Sequence, residues 1–199
     1  MQDGQSLGTG LAELRIAIAG DLHGQWDASD EQVLEHIAPD ALLVVGDLSD
    51  GHQRIPARLA SLPLPLACVL GNHDCGRDPS GRTLRRQLET LGDRHCGWGL
   101  RELQPPGLAV VGARPASAGG GFHLNHGAQA VFGPVTLEQS VERISTAALA
   151  ADPALPLILL AQTRQADRDK AHADADARHR EDLAQAGMER QALAAQQAA

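Results

Sequence analysis

The chain has 199 residues and a formal charge of −8, which fits one α/β domain and argues against a stable complex with nucleic acid or an anionic membrane. A phosphate substrate is not excluded, because bound cations can invert the local field. The sequence shows no secretory signal, no apolar stretch near the ~20 residues that cross a bilayer and no C-x-x-C among its three cysteines, so we predict a cytoplasmic protein without membrane contact.

The first half of the chain predicts alternating strands and helices. Apolar runs that end at glycine predict buried strands at 14–19, 41–45 and 65–70. Amphipathic segments predict helices at 31–37 and 55–62, and Ser80 is a plausible N-cap for a third helix that runs to 91. Because helices connect the strands, we expect parallel pairing in one sheet.

The second half predicts a different arrangement. Two apolar runs, 100–103 and 108–111, have no helix between them and indicate an antiparallel pair in a second sheet. The stretch 112–133 reads as irregular, a helix follows from Thr136 to about 151, and 155–161 reads as another buried strand. From Gln162 onward Ala, Gln, Asp and Arg dominate. We therefore predict a domain over 1–161 and a polar, Ala-rich helical tail over 162–199.

A polar cluster follows each of the first three predicted strands, and the side chains of the three clusters should meet at one sheet edge. The first cluster holds Asp21 and His23, whose mixed O and N donors suit Mn, Fe or Zn. In the second, Asp47 is the natural carboxylate to bridge two cations. The alternative interpretation, that these are only turn sequences, requires coincidence at three strand ends.

The third cluster is Asn72-His73-Asp74. Asn72 offers a neutral amide oxygen as a ligand. His73 can face the substrate and protonate a leaving oxygen, with Asp74 or Asp47 orienting its ring. We therefore assign His73, Asp47 and Asp74 to catalysis.

The three clusters resemble the first motifs of the calcineurin-like metallophosphoesterases, D-x-H, G-D-x-x-D and G-N-H-D/E, within residues 14–161. The resemblance implies an α/β fold built as a two-sheet β sandwich flanked by helices, here with an extra C-terminal polar helix. It implies that Asp21 and His23 bind the first of two divalent cations, that Asp47 bridges both and that Asn72 binds the second. It also implies that His73 acts on the leaving group or the phosphoryl oxygens.

The chain departs from that family pattern in its later part. The family completes its site with further histidines, whereas Gln162 stands at one expected position and no G-H-x-H occurs downstream. We therefore expect a weak second metal site and low activity. Whether the tail is an evolved helix or the product of a truncation or frameshift stays open at this stage.

Two hypotheses about function follow. The first is a phosphoesterase that uses a metal-bound hydroxide on phosphate mono- or diesters. The second is an impaired or truncated relative that acts as a binding or structural protein, with the tail contacting a protein partner.

Several other residues carry weaker functional interpretations. Four residues either contact phosphate or are simply exposed to solvent: His123, His126, Arg77 and Arg82. Cys75 is either a redox-sensitive neighbour of the metals or incidental to the site. Trp26 is expected to pack in the core rather than line the pocket. In the tail, one helical stripe could replace missing ligands or form a solvated face; it comprises Asp169, His172, Asp176 and His179.

Overall fold

The computed structural model describes residues 13–116, 124 and 126–160. Its strands are β1 Ile16–Gly20, β2 Ala41–Val45, β3 Leu66–Val69, β4 Leu100–Leu103, β5 Leu108–Gly112 and β6 Leu157–Leu160. Its α-helices are α1 Ala28–Ile37, α2 Arg54–Ser61, α3 Arg82–Leu91, α4 His126–Phe132 and α5 Leu137–Leu149, and a short 3₁₀ helix covers Gly92–Arg94. The predicted strands and helices of the first half are therefore present, but the prediction of a buried strand was wrong for β1, where Ile18 is 70% exposed, and for β6, where Leu157 and Leu159 are exposed.

The first sheet, in the order β1-β2-β3, is parallel throughout. Residues 41–44 of β2 and all of β3 are buried, which explains why these strands read as continuous apolar runs rather than alternating ones. The parallel register brings the carboxyl ends of all three strands to one edge. The clusters that follow them therefore start side by side.

The second sheet, in the order β4-β5-β6, is mixed. β4 and β5 pair antiparallel, as predicted, while β6 joins β5 in parallel after the chain has passed through α4 and α5. One apolar cluster lies between the sheets and includes Leu43, Val69, Val110 and Leu160. These observations agree with the expected α/β architecture of two packed sheets with helices.

Helices α2 and α3 cover the other face of the first sheet. Ile55, Leu59 and Leu84 are fully buried there in a cluster that also contains Val44 of β2. Trp26, only 4% exposed, belongs to the same cluster, as predicted from sequence. This apolar layer supports the loops that carry the three polar clusters.

Two details of the helices differ from the sequence-based expectations. Helix α1 starts at Ala28, three residues early, because Asp27 and Asp30 form a capping box. Ser80 is not the N-cap of α3. Gly81 takes that position with φ 72°, and the Asp78 carboxylate accepts a hydrogen bond from the Thr83 N–H at 2.9 Å.

Helix α4 lies within the stretch predicted to be irregular, so that prediction was wrong for residues 126–132. Tertiary contacts stabilise this seven-residue helix, because Ala128 is buried and the Arg85 guanidinium donates to the Ala130 carbonyl at 2.7 Å. The tail prediction at 162–199 lies outside the described residues. Within the described part of the chain, no helix is long and apolar enough to cross a membrane.

Candidate metal centre

The loops after β1 and β2 run side by side and continue the pairing of the strands. The Asp21 N–H donates to the Gly46 carbonyl at 3.2 Å, and the His23 N–H donates to the Asp47 carbonyl at 2.9 Å. Ligand atoms of Asp21, His23 and Asp47 all lie within 4.8 Å of one another. The structure thus brings together three of the four residues predicted to bind metal.

The backbone at this edge is in an unusual conformation. Asp21, His23, Asp47 and Asp50 have φ values of 54°, 42°, 52° and 46°, in the left-handed region. Non-glycine residues there carry a conformational cost of order 1–3 kcal/mol each, and such strain concentrates at functional sites. Four of the six described non-glycine residues with positive φ are in this site, which supports a functional reason for the loop conformations.

The third loop packs directly on Asp47, which is 2% exposed. One Asp47 carboxylate oxygen, Oδ1, accepts a hydrogen bond from the His73 N–H at 3.0 Å. A Cβ on Gly71 would collide with the same carboxylate and with the Asp47 backbone. Glycine at this position is therefore what allows the third loop to approach the first two.

Asp74 is fully buried and ties the second and third loops together. Its Oδ1 accepts from the Ser49 N–H at 2.9 Å and its Oδ2 from the Gly71 N–H at 2.7 Å. Gln87 of α3 adds a hydrogen bond to the Asp74 carbonyl at 2.9 Å. Burial raises the pKa of the Asp74 carboxyl to about 6, against the opposing effect of the backbone donors.

The sequence interpretation missed the role of Asp50. Its Oδ1 lies 2.8 Å from His23 Nδ1 and 3.3 Å from His73 Nδ1, and the two imidazole rings meet edge to face with centroids 4.8 Å apart. Asp50, rather than Asp47 or Asp74, is the carboxylate found beside the His73 ring. The signal was available, because Asp50 is the second aspartate of the G-D-x-x-D motif.

Asp50 also affects the charge of His23. Hydrogen bonding to the Asp50 carboxylate raises the pKa of the His23 imidazole, with burial opposing this shift. The same contact leaves the other ring nitrogen, Nε2, to meet a cation. A single carboxylate thus lies beside both imidazoles of the site and forms a hydrogen bond with the His23 ring.

The remaining residues singled out from the sequence differ in burial. Asn72 is half-buried between Gly71 and His73, and its role as a ligand stays a prediction. His126, Arg77 and Arg82 are exposed and Cys75 is buried. The other residues singled out from the sequence lie outside the described part of the chain; they are His123, Gln162 and the tail residues Asp169, His172, Asp176 and His179.

The donor set fits a divalent cation. Two carboxylates and one imidazole supply the oxygen and nitrogen ligands that Mn, Fe and Zn accept, and His23, Asp50 and His73 form a second, overlapping group within 4.8 Å. Asp47 belongs to the buried side of the site, while Asp50 and His73 face solvent. Substrate would therefore approach from the His73 side.

Comparison with known proteins supports a family assignment. No curated protein matches the chain significantly. A family model described as calcineurin-like phosphoesterase matches residues 14–181, which includes the three strands, their polar loops and part of the segment predicted to be a tail. The chain belongs to the calcineurin-like phosphoesterase family.

Proposed function

We propose that this chain hydrolyses phosphate mono- or diesters at the centre formed by Asp21, His23 and Asp47. The family implies metal-dependent hydrolysis of phosphoesters. The single observation that carries the proposal is the approach of these three ligand groups to within 4.8 Å. Cations bound there would polarise a phosphoryl oxygen and supply an activated water for in-line attack.

The proposed roles divide between the buried and the exposed side of the site. Asp21 and His23 would hold the first cation, Asp47 would serve as a ligand for both cations and Asn72 would offer an amide oxygen to the second. With Asp47 and Asn72 as the only assigned ligands, the second site is weak. We therefore expect one tightly bound cation per chain and reduced activity.

His73 is proposed to donate a proton to the leaving oxygen. Its side chain is 49% exposed, so a substrate can reach it, and Asp50 beside Nδ1 fixes the orientation of the ring. Nε2 is then the nitrogen available for the leaving oxygen. Asp74, whose oxygens accept from Ser49 and Gly71, supports this loop by holding its backbone.

The test loads purified protein with Mn²⁺ and follows hydrolysis of p-nitrophenyl phosphate and bis(p-nitrophenyl) phosphate. We expect Asp47→Asn to abolish turnover and His73→Ala to lower it by about 10²–10⁴-fold, the usual contribution of a positioned acid. The exposed His36→Ala is the matched control. Turnover that survives both substitutions would refute the proposal.

Elemental analysis supplies a readout that does not depend on turnover. One equivalent of Mn²⁺ that resists dialysis is expected, and its loss in Asp47→Asn would support the assignment of ligands. Two tightly held equivalents would contradict the weak second site. Binding of cations without turnover of either ester would instead favour the impaired relative that acts as a binding or structural protein.

Three further assignments belong to the same proposal and rest on sequence alone. Manganese, iron or zinc is the proposed cation, the cytoplasm is the proposed location, and residues 162–199 are proposed to contact a protein partner. Fractionation of cells that express a tagged chain tests the location, and a pull-down from defined cell fractions that compares this chain with one lacking 162–199 tests the partner. Identical recoveries in every fraction would refute a role for the tail.

A further inference from the structure

An open cleft of about 550 Å³ lies between the third polar loop and the start of α4. One wall is the end of the third loop, from Cys75 to Pro79, and the other wall is the start of α4, including His126 and Gln129. Neither wall supplies a residue that the proposed chemistry uses. The cleft is therefore a feature to be explained separately.

The cleft adjoins the exposed side of the site through the backbone. The Gly76 N–H donates to the His73 carbonyl at 2.8 Å, so the wall begins within the turn that carries His73. A Cβ on Gly51, the residue after Asp50, would lie only 3.0 Å from the Gly76 Cα. One wall of the cleft thus includes a residue that contacts the backbone of His73 and of the residue after Asp50.

The charges in the cleft differ from those of the metal centre. The Asp78 carboxylate accepts hydrogen bonds from the N–H and hydroxyl groups of both Ser80 and Thr83, which lower the pKa of Asp78 and hold it against the amino end of α3. The positive end of that helix offsets the charge of this carboxylate. Among the described residues of the cleft, Arg77 and His126 are donors on opposite walls that can meet an anionic ligand.

We propose that this cleft binds the leaving group of the substrate and selects esters whose leaving group carries a second anionic group, a carboxylate or a phosphate. The proposal rests on the function proposed above, because it assumes that an ester is cleaved beside His73. Arg77 supplies a guanidinium for the anion and His126 a second donor from the facing wall. Both act on substrate specificity and neither takes part in the cleavage.

The kinetic test compares 4-carboxyphenyl phosphate with 4-carbamoylphenyl phosphate, whose leaving group is similar in shape but neutral. We expect about tenfold higher kcat/KM for the carboxylate ester, the effect of one charge-assisted contact at a partly exposed site. Arg77→Gln should remove this preference and His126→Gln should reduce it. Arg86→Gln, an exposed arginine on α3 outside the cleft wall, should leave it unchanged.

A binding test separates failure of this proposal from failure of the proposed function. The ring resonances of His126 are followed by NMR in metal-free protein during titration with 4-hydroxybenzoate and with 4-hydroxybenzamide. Shifts with the carboxylate alone, lost in Arg77→Gln, support the anion subsite even if no ester is turned over. Equal response to both compounds, or an ester preference that survives Arg77→Gln, overturns it.

Discussion

Replacing Asp50 by alanine tests whether one carboxylate organises both imidazoles of the site. In the structure its Oδ1 is 2.8 Å from His23 Nδ1 and 3.3 Å from His73 Nδ1. Without it, His23 loses the hydrogen bond that fixes its orientation and tautomer and His73 loses the carboxylate beside its Nδ1, although neither loses its own ring nitrogens. The change therefore perturbs the position of the rings and also lowers the pKa of His23, which the hydrogen bond to Asp50 raises.

The size of the effect follows from these contacts. A hydrogen bond to a charged group contributes about 1.5–3 kcal/mol, but the Asp50 side chain is 46% exposed, so solvent screening reduces this value. A remaining loss of roughly 1–1.5 kcal/mol corresponds to about tenfold weaker Mn²⁺ affinity through His23. We expect a similar fall in kcat through His73.

The assay combines calorimetric titration with Mn²⁺, steady-state kinetics and nitrogen NMR of the histidine rings. Asp50→Ala should weaken binding and mix the His23 tautomers, while Asp50→Asn, which keeps an acceptor oxygen, should retain most of the affinity. Asp93→Asn, at an exposed ion pair with Arg101, is the control. Wild-type affinity, kcat and tautomer in Asp50→Ala would show that this carboxylate positions neither ring.

Two further perturbations probe the loops and the core. Gly71→Ala should cost about 1–3 kcal/mol of unfolding free energy and lower Mn²⁺ affinity, because its Cβ would displace the Asp47 carboxylate. Urea unfolding measures this cost, with Gly99→Ala, where a Cβ has room, as the control. An unchanged unfolding midpoint in Gly71→Ala would contradict the prediction. Asp74 and His23, whose pKa values are raised, stabilise the metal-free protein as pH falls, whereas burial lowers the pKa of His95, so that the unfolded chain takes up a proton first and His95 contributes a downward slope of stability below pH 6.5. His95→Gln should reduce this slope between pH 7 and 5, measured by urea unfolding against His52→Gln, and an identical slope would refute the assignment.

Part of the site was predictable because its signal is local. Asp21, Asp47 and His73 each follow an apolar run that ends at glycine, and parallel strands bring such ends to one edge whatever the detailed packing. Asp50 was missed as the partner of His73, since choosing among Asp47, Asp50 and Asp74 depends on how the second and third loops approach each other. Spacing along the chain does not contain that distance.

The fold was likewise predictable where its signal is local and not where it depends on contacts between distant segments. Strong periodicity identified the first three strands and the helices between them, but α4 reads as irregular because a seven-residue helix has little intrinsic stability and depends on contacts with α3. The cleft was not predictable from sequence either, because its two walls carry Arg77 and His126, which are 49 positions apart in the chain.

The amino-acid sequence by itself determined the strand and helix types in the first half and the family, and it predicted the ligand chemistry, because apolar periodicity and side-chain donors are properties of short segments. Only the tertiary structure decided which carboxylate meets which imidazole, which loop needs glycine at 71 and which residues line the cleft. Those properties depend on distances between segments that packing brings together, and the packing of two sheets sets them within a few ångströms.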